Sequence, residues 1–409
     1  MGGRWHWVRQ RQCFGWAILL GLLGFLGVLH TQVIPSEHPF LPLKTIQSRL
    51  YNYVHVGGGS QKKNRIAICL VGGARKFELT GPSLLKYVIN RYNDSDVFLH
   101  APLDNNSYKF SLLNKASSGL AAVRIFTPQR INETTMQAYV FTSTGSPNGL
   151  QGLLQYFNLV EGCLTMIKTY QLKHNITYDW IVRTRVDGYW NGPLPPPESY
   201  SNKKYIVPVG SQFGGLNDRI GIGNMKTSEV ALSRISLIPL LYAGGYKRLN
   251  SETAFKHQLD VKGVQYLLKT FPFCILSERK YEWPPSTWGV PVVSLSSKGH
   301  LNGAKCRPCT PVLKGTDAMN IIESLTRSWS WTLTTPGLEL CDAHDKWEEN
   351  WEQIFDKAAG PQFSALRQKV KIHNLTDCIK DFEAMKQKTA DWDAPPASTI
   401  CKSYFEHSH

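Results

Sequence analysis

Long runs of lysine and arginine are missing from this 409-residue chain, although Lys and Arg total 46 against 31 Asp and Glu and the formal net charge is +15. Without such a run, and without an RNA- or DNA-binding signature, the basic excess does not read as a nucleic-acid footprint. The GxxxxGK[ST] spacing of a phosphate loop is absent, as are GxGxxG and HExxH. These absences exclude a P-loop nucleotidase, a GxGxxG dinucleotide site and a zincin protease. No Ser-His-Asp or Cys-His order stands out, and no Cys/His pair follows Cys306-Arg-Pro-Cys309 at the spacing a zinc site needs. A thioredoxin-like context is lacking too, so the CxxC is expected to form a structural disulfide loop. There is no internal repeat, and a composition 42% hydrophobic and 19% charged argues against wholesale disorder.

What is present begins with an anchor. Residues 13–29 carry no charge, and Arg4, Arg9 and Arg11 precede them. At about 1.5 Å per residue this run spans a thin bilayer, of the kind found early in the secretory pathway. The positive-inside rule puts the N-terminus in the cytosol and the rest in the lumen. The rival is a cleaved signal peptide, whose apolar core is usually about 7–15 residues and ends at a small-x-small site; Leu29-His30-Thr31-Gln32 has no such site. The expected division is a cytosolic tail (1–12), a transmembrane signal-anchor (13–34), a Pro- and Gly-containing stem (35–64), an α/β body (65–300) and a Cys-rich C-terminal extension (301–409). Five sequons, at Asn93, Asn105, Asn132, Asn175 and Asn374, suit a lumenal body. Apart from Cys13, eight cysteines remain, an even number that suits disulfides in an oxidising compartment. The 12 Trp and 17 Tyr either fill a core or line a sugar-binding cleft. The surplus positive charge is either the ordinary basicity of a membrane-tethered enzyme or a cleft for a diphosphate-bearing donor.

The body opens with Ile66–Val71, a short continuous apolar run of the kind that forms a buried parallel strand. A glycine turn, a helix over 84–92 and a strand over 96–100 complete a βαβ unit. Further strands are expected at 123–126, 179–187, 205–209 and 219–223. Apolar residues recurring at three and four predict a helix over 149–174, with others at 253–268 and 345–359. Strands alternating with helices imply an α/β fold with a largely parallel sheet.

In open α/β sheets, ligands bind beyond the carboxyl ends of the strands. That rule selects three loops. In Gly72-Gly73-Ala74-Arg75 the glycines let backbone approach a ligand and Arg75 suits a phosphate; the alternative is a tight turn with a surface arginine. In Arg183-Thr-Arg185-Val-Asp187 alternation puts Arg183, Arg185 and Asp187 on one face, where they form either a structural ion-pair cluster or a polar site. Asp187 at the strand exit reads as a ligand for a divalent cation bridging a diphosphate. Between two glycine clusters, Asn217 and Asp218 read either as a sugar-gripping loop or as a hairpin turn. Glu252, after Asn250-Ser251, reads either as helix capping or as a catalytic base. Asp94-Ser-Asp96 and Asp391-Trp-Asp393 mimic a metal motif, but the first lies at a strand entry.

These residues, in this order, resemble GT-A-like glycosyltransferases. The apolar strand with Gly72 and Arg75, the Asp96-Val-Phe-Leu-His100 strand, and a helix carrying Asn148, Gln151 and Gln155 come first. Tyr178 through Asp187, the Asn217-Asp218-Arg219 loop and Ser251-Glu252 follow. The likeness covers residues 65–270. With the short anchor and Cys-rich tail, it is similar to a plant family of Golgi type II glycosyltransferases of unassigned reaction. The resemblance implies a GT-A-like, Rossmann-like sheet and transfer from a nucleotide-sugar to a glycan or glycoprotein acceptor in the Golgi lumen. Donor binding would fall to Gly72, Gly73, Arg75, Arg183, Arg185 and Asn217. Asp187, Asp218 and Glu252 would be catalytic, with Mn²⁺ or Mg²⁺ at Asp187. Two departures stand out: Arg185 occupies the first Asp of a DxD pair, and Gly73 replaces a polar residue. The rivals are a Golgi sulfotransferase, on Gly73-Ala-Arg-Lys76 followed by Thr80, and a non-catalytic scaffold or glycan-binding protein.

Overall fold

A computed structural model describes residues 64–405, apart from 93, 147, 283–289 and 326–336. The tail, the signal-anchor, nearly all of the stem and the Asn93 sequon lie outside the described residues. Those described all fall in one unit, Lys62–His409. Among them no helix is long and apolar enough to cross a membrane.

The strands, in chain order, are β1 (Ile66–Val71), β2 (Ser95–Pro102), β3 (Gly119–Phe126), β4 (Trp180–Arg185), β5 (Gly188–Trp190), β6 (Tyr205–Pro208) and β7 (Ile220–Gly223). They continue with β8 (Tyr266–Lys269), β9 (Phe273–Leu276), β10 (Val292–Ser294), β11 (Ala304–Arg307), β12 (Leu313–Lys314), β13 (Glu339–Cys341) and β14 (Thr389–Asp393). The main sheet runs β14-β3-β2-β1-β4-β7-β6-β8, and a smaller one runs β12-β13-β10-β11-β9-β5. From β14 through β4 every pairing in the main sheet is parallel, and β7 is antiparallel to both its neighbours. All six residues of β1 are buried, as a central parallel strand covered on both faces requires.

One face is covered by the helix Gly149–His174. Its Val160, Cys163, Leu164 and Ile167 pack with Ala67, Cys69 and Val71 of β1, and a Cys69–Cys163 disulfide joins helix to strand. Gly162 lets the helix come close: a Cβ there would stand 2.1 Å from His100 Cε1. The other face packs on the helix Phe77–Tyr87. This helix was expected at 84–92. Gly81 and Pro82 look like breakers in sequence, yet both are buried within the helix. A Cβ on Gly81 would meet the Phe77 ring at 2.9 Å.

The helix expected over 253–268 is Ser251–Val261. Gly263, at φ 63°, turns the chain out, and Tyr266–Lys269 becomes β8 beside β6. The third expected helix starts at Trp351 rather than 345. The CxxC loop expectation is also corrected: Cys306 bonds Cys274 and Cys309 bonds Cys341, so the motif staples β11 to β9 and to β13. Cys378 pairs with Cys401. Residues 301–409 supply β11, β12 and β13 to the small sheet and the edge strand β14 to the large one. There Asp391 pairs with Lys173, and Asp393 pairs with Arg124 at 3.2 Å.

Candidate active site

β1 and β4 run side by side and end together, and their exits are bonded, Val186 N–H donating to Val71 O at 3.1 Å. The β1 exit needs its glycines. Gly72 has φ 124°, a region L-residues rarely enter, and a Cβ on it would lie 3.2 Å from Val186 Cγ2. On Gly73 a Cβ would lie 2.9 Å from Asp104 Oδ2. Beyond these exits opens a cavity of about 1130 Å³, at the strand end where α/β sheets bind ligands.

Gly72, Gly73, Arg75, Arg185, Asp187, Asp218 and Glu252 all line this cavity, as do Asn148, which precedes the long helix, and Gln151 and Gln155 within it. Arg183 and Asn217, also expected to bind a donor, do not. Arg183 is buried beneath the floor, donating to Tyr156 Oη at 3.3 Å and to Asp218 O. Asn217 is fully buried and serves the backbone: its Nδ2 donates to Gly210 O and Asn302 O at 2.9 Å, and its Oδ1 accepts from Arg219 N–H. Both therefore shape the loop. Lys76 and Thr80, which carried the sulfotransferase likeness, are engaged elsewhere. Lys76 pairs with Glu278 at 2.8 Å and lies over the Trp347 and Trp351 rings, and Thr80 Oγ1 donates to Val186 O.

Asp187 is held two-pronged by Arg185, Nε to Oδ1 at 2.9 Å and Nη2 to Oδ2 at 2.6 Å. Burial pushes its carboxyl up, but Arg185, with Lys305 and Arg75 behind it, outweighs burial and holds it at about 2. Asp218 accepts from Ser251 Oγ at 2.6 Å and stands 3.6 Å from Arg234. Arg234 is wholly buried, sandwiched between the Phe157 and Phe255 rings at 4.5 and 4.8 Å, and donates to Ser251 O. Burial raises Asp218, and the Arg234 and Arg183 charges bring it below its usual value. Glu252 behaves differently. Burial first and the Asp218 charge second raise it to about 7.

Its place is set by Gly215, where a Cβ would lie 2.0 Å from Glu252 O. The helix cap belongs to Asn250, whose side chain accepts from Thr253 N–H in a capping box. Glu252 is thus a first-turn residue facing the cavity rather than the cap.

Several lining cations went unselected in sequence. Arg219 donates to Gly303 O at 2.7 Å and sits over the Phe213 ring. Arg279 and Lys305 come from the small sheet and its flank. Arg219 was visible beside Asp218. Lys305 had no signal, because β11 is four residues long and pairs only with strands of three and four residues.

The described carboxylates do not converge on a site for a divalent ion. Such ions want several hard, uncommitted oxygens. Both Asp187 oxygens are engaged by Arg185, one Asp218 oxygen accepts from Ser251, and one Asp104 oxygen accepts the Asn106 N–H. Among the described residues no group of three or more His, Cys, Asp or Glu is placed to hold a metal. Asp187, the metal candidate in sequence, is here the holder of Arg185.

Four of the sequon asparagines, Asn105, Asn132, Asn175 and Asn374, are exposed. Asn175 caps the long helix in the left-handed region at φ 51°.

No curated protein matches this sequence. Among solved structures, mouse xyloside xylosyltransferase 1 in its apo form is similar at 9% identity and a TM-score of 0.32, over 51% of this chain and 85% of that one. At that degree of likeness nothing about this chain follows from it. A family model described as a domain of unknown function, DUF7796, matches residues 61–407, and the chain belongs to that family.

Proposed function

We propose that the chain is a glycosyltransferase that moves a sugar from a nucleoside-diphosphate sugar to a glycan or glycoprotein acceptor. Its place would be the Golgi lumen, behind the signal-anchor at 13–34. One observation carries the reading: seven residues chosen from three separate loops and a helix start line a single cavity at the β1/β4 exits, among Arg75, Arg185, Arg219, Arg279 and Lys305. A large cavity with that many guanidinium and ammonium groups suits a diphosphate.

In the step itself, the acceptor hydroxyl oxygen bonds to the anomeric carbon as that carbon's bond to the β-phosphate oxygen breaks. The electron pair leaves on the nucleoside diphosphate, and the hydroxyl proton passes to a carboxylate. Glu252, raised to about 7, has the basicity for this near neutral pH. Asp218, fixed by Ser251 and Arg234, would contact the sugar. Arg75 and the glycine turn would hold the nucleotide, and Arg185, oriented by Asp187, the departing phosphate.

The test is turnover of a nucleotide-sugar panel by the purified full-length chain, with phosphoadenosine compounds included. Hydrolysis or transfer from at least one nucleotide-sugar, lost in Asp187→Ala, is expected. Normal turnover by Asp187→Ala would remove the site assignment. Binding of phosphoadenosine compounds alone would replace the reaction class.

A further inference from the structure

We propose that the donor's diphosphate is neutralised by a cation cluster of Lys305, Arg185, Arg219 and Arg279 in place of a divalent metal ion. This deepens the nucleotide-sugar reading and rests on it.

The cluster is built by the junction of the two sheets. After Asp187 the chain enters β5, which pairs with β9, and β9 pairs with β11, setting Lys305 opposite Ile275. Leu276 N–H donates to Asp187 O at 3.1 Å, so the strand next to Lys305 is tied to the β4 exit. Arg219 reaches the same junction through Gly303 O. The second sheet thus delivers an ammonium group to the spot where the first delivers Arg185.

Two features say that these charges await an anion. Arg185 has Asp187 as counter-ion, but among the described residues Lys305 has no hydrogen-bond acceptor and no carboxylate within ion-pair distance. Half-buried among Arg219 and Arg185, its ammonium is driven well below its ordinary basicity, by burial first and those charges second, and the Asp187 charge offsets them only in part. A lysine serving only the fold gains nothing from such a position, because an unpaired charge near like charges destabilises the folded state. A diphosphate supplies the missing negative charge and hydrogen-bond acceptors for guanidinium forks. The cluster does the neutralising that a bridging cation does where three or more metal ligands converge, and among the described residues none do.

The experiment is calorimetric titration of the full-length chain with UDP and GDP, once with EDTA and once with Mn²⁺, beside melting curves without ligand. One of the two nucleotides should bind with the same affinity in both buffers. Lys305→Met should weaken it about tenfold to a hundredfold, the range of a lost charge-assisted hydrogen bond. The same variant should melt higher than wild type when empty, since it removes a half-buried amine that the empty cavity leaves without an ion-pair partner. Lys305→Arg should keep the affinity. Tight binding only with Mn²⁺ would overturn the proposal and leave the nucleotide-sugar reading intact. No binding of either nucleotide in either buffer would sink both. A Lys305→Met chain that binds like wild type, or that loses melting temperature together with affinity, would show a structural lysine and also overturn it.

Discussion

Glu252 and Asp187 line one cavity and are shifted in opposite directions, so pH separates their roles. Glu252 is raised to about 7 from 4.5. Its folded state prefers the proton, so its contribution to stability is complete below 4.5 and is lost as pH rises through about 7. Asp187 is lowered to about 2 from 3.8. Its contribution, about 2 kcal/mol at 1.36 kcal/mol per unit, is present above 3.8 and lost as pH falls toward 2. A general base at Glu252 gives kcat/KM a rising limb with an apparent midpoint near 7 and a plateau above it. Glu252→Gln should flatten that limb and lower kcat by about 10²–10⁴-fold. An unchanged limb in the glutamine variant would assign the base elsewhere. At this scale sequence was most informative for residues that close a strand. Alternation put Arg183 and Arg185 on one face, but it could not show that Tyr156 and the Asp218 carbonyl cover the first and leave the second open.

Among the elements, β1 and the long helix were legible because each carries a strong period or an unbroken apolar run over its whole length. The small sheet was not. Its strands are two to four residues long, and the covalent ties that define it join residues 32 apart. Composition showed the cysteines but not their partners, and the CxxC spacing pointed to the wrong pairing. The Cys274–Cys306 bridge joins β9 to β11, the strands that tie down Asp187 and carry Lys305. Cys378–Cys401 joins the C-terminal helices, and neither cysteine lines the cavity. Replacing either pair by alanine should cost about 3 kcal/mol of unfolding free energy on loop-closure grounds. Only the Cys274/Cys306 pair should also weaken nucleoside-diphosphate binding. Denaturant melts and titration calorimetry on both double variants check this, and an equal loss of affinity in the two would detach the small sheet from the site.

For the molecule as a whole, charge and architecture converge. A net +15 is spread over the chain without a run, and the fold gathers five of its cations around one cavity where two sheets meet. Only part of that gathering could be read in advance. The strand-end rule located the Arg75, Arg185 and Arg219 loops, but Arg279 and Lys305 come from a stretch whose short strands carry no readable period. The C-terminal return through β14 was equally silent, since an edge strand with exposed and half-buried residues lacks the alternation that marks a core strand. The most direct measurement is a crystal structure of the chain grown with the nucleoside diphosphate that binds best. Its phosphates should lie within hydrogen-bond reach of Lys305, Arg185 and Arg219, beside the Gly72–Gly73 turn. A nucleotide seated elsewhere, such as the hollow of about 660 Å³ beside Tyr178, Trp180 and Tyr200, would contradict the account.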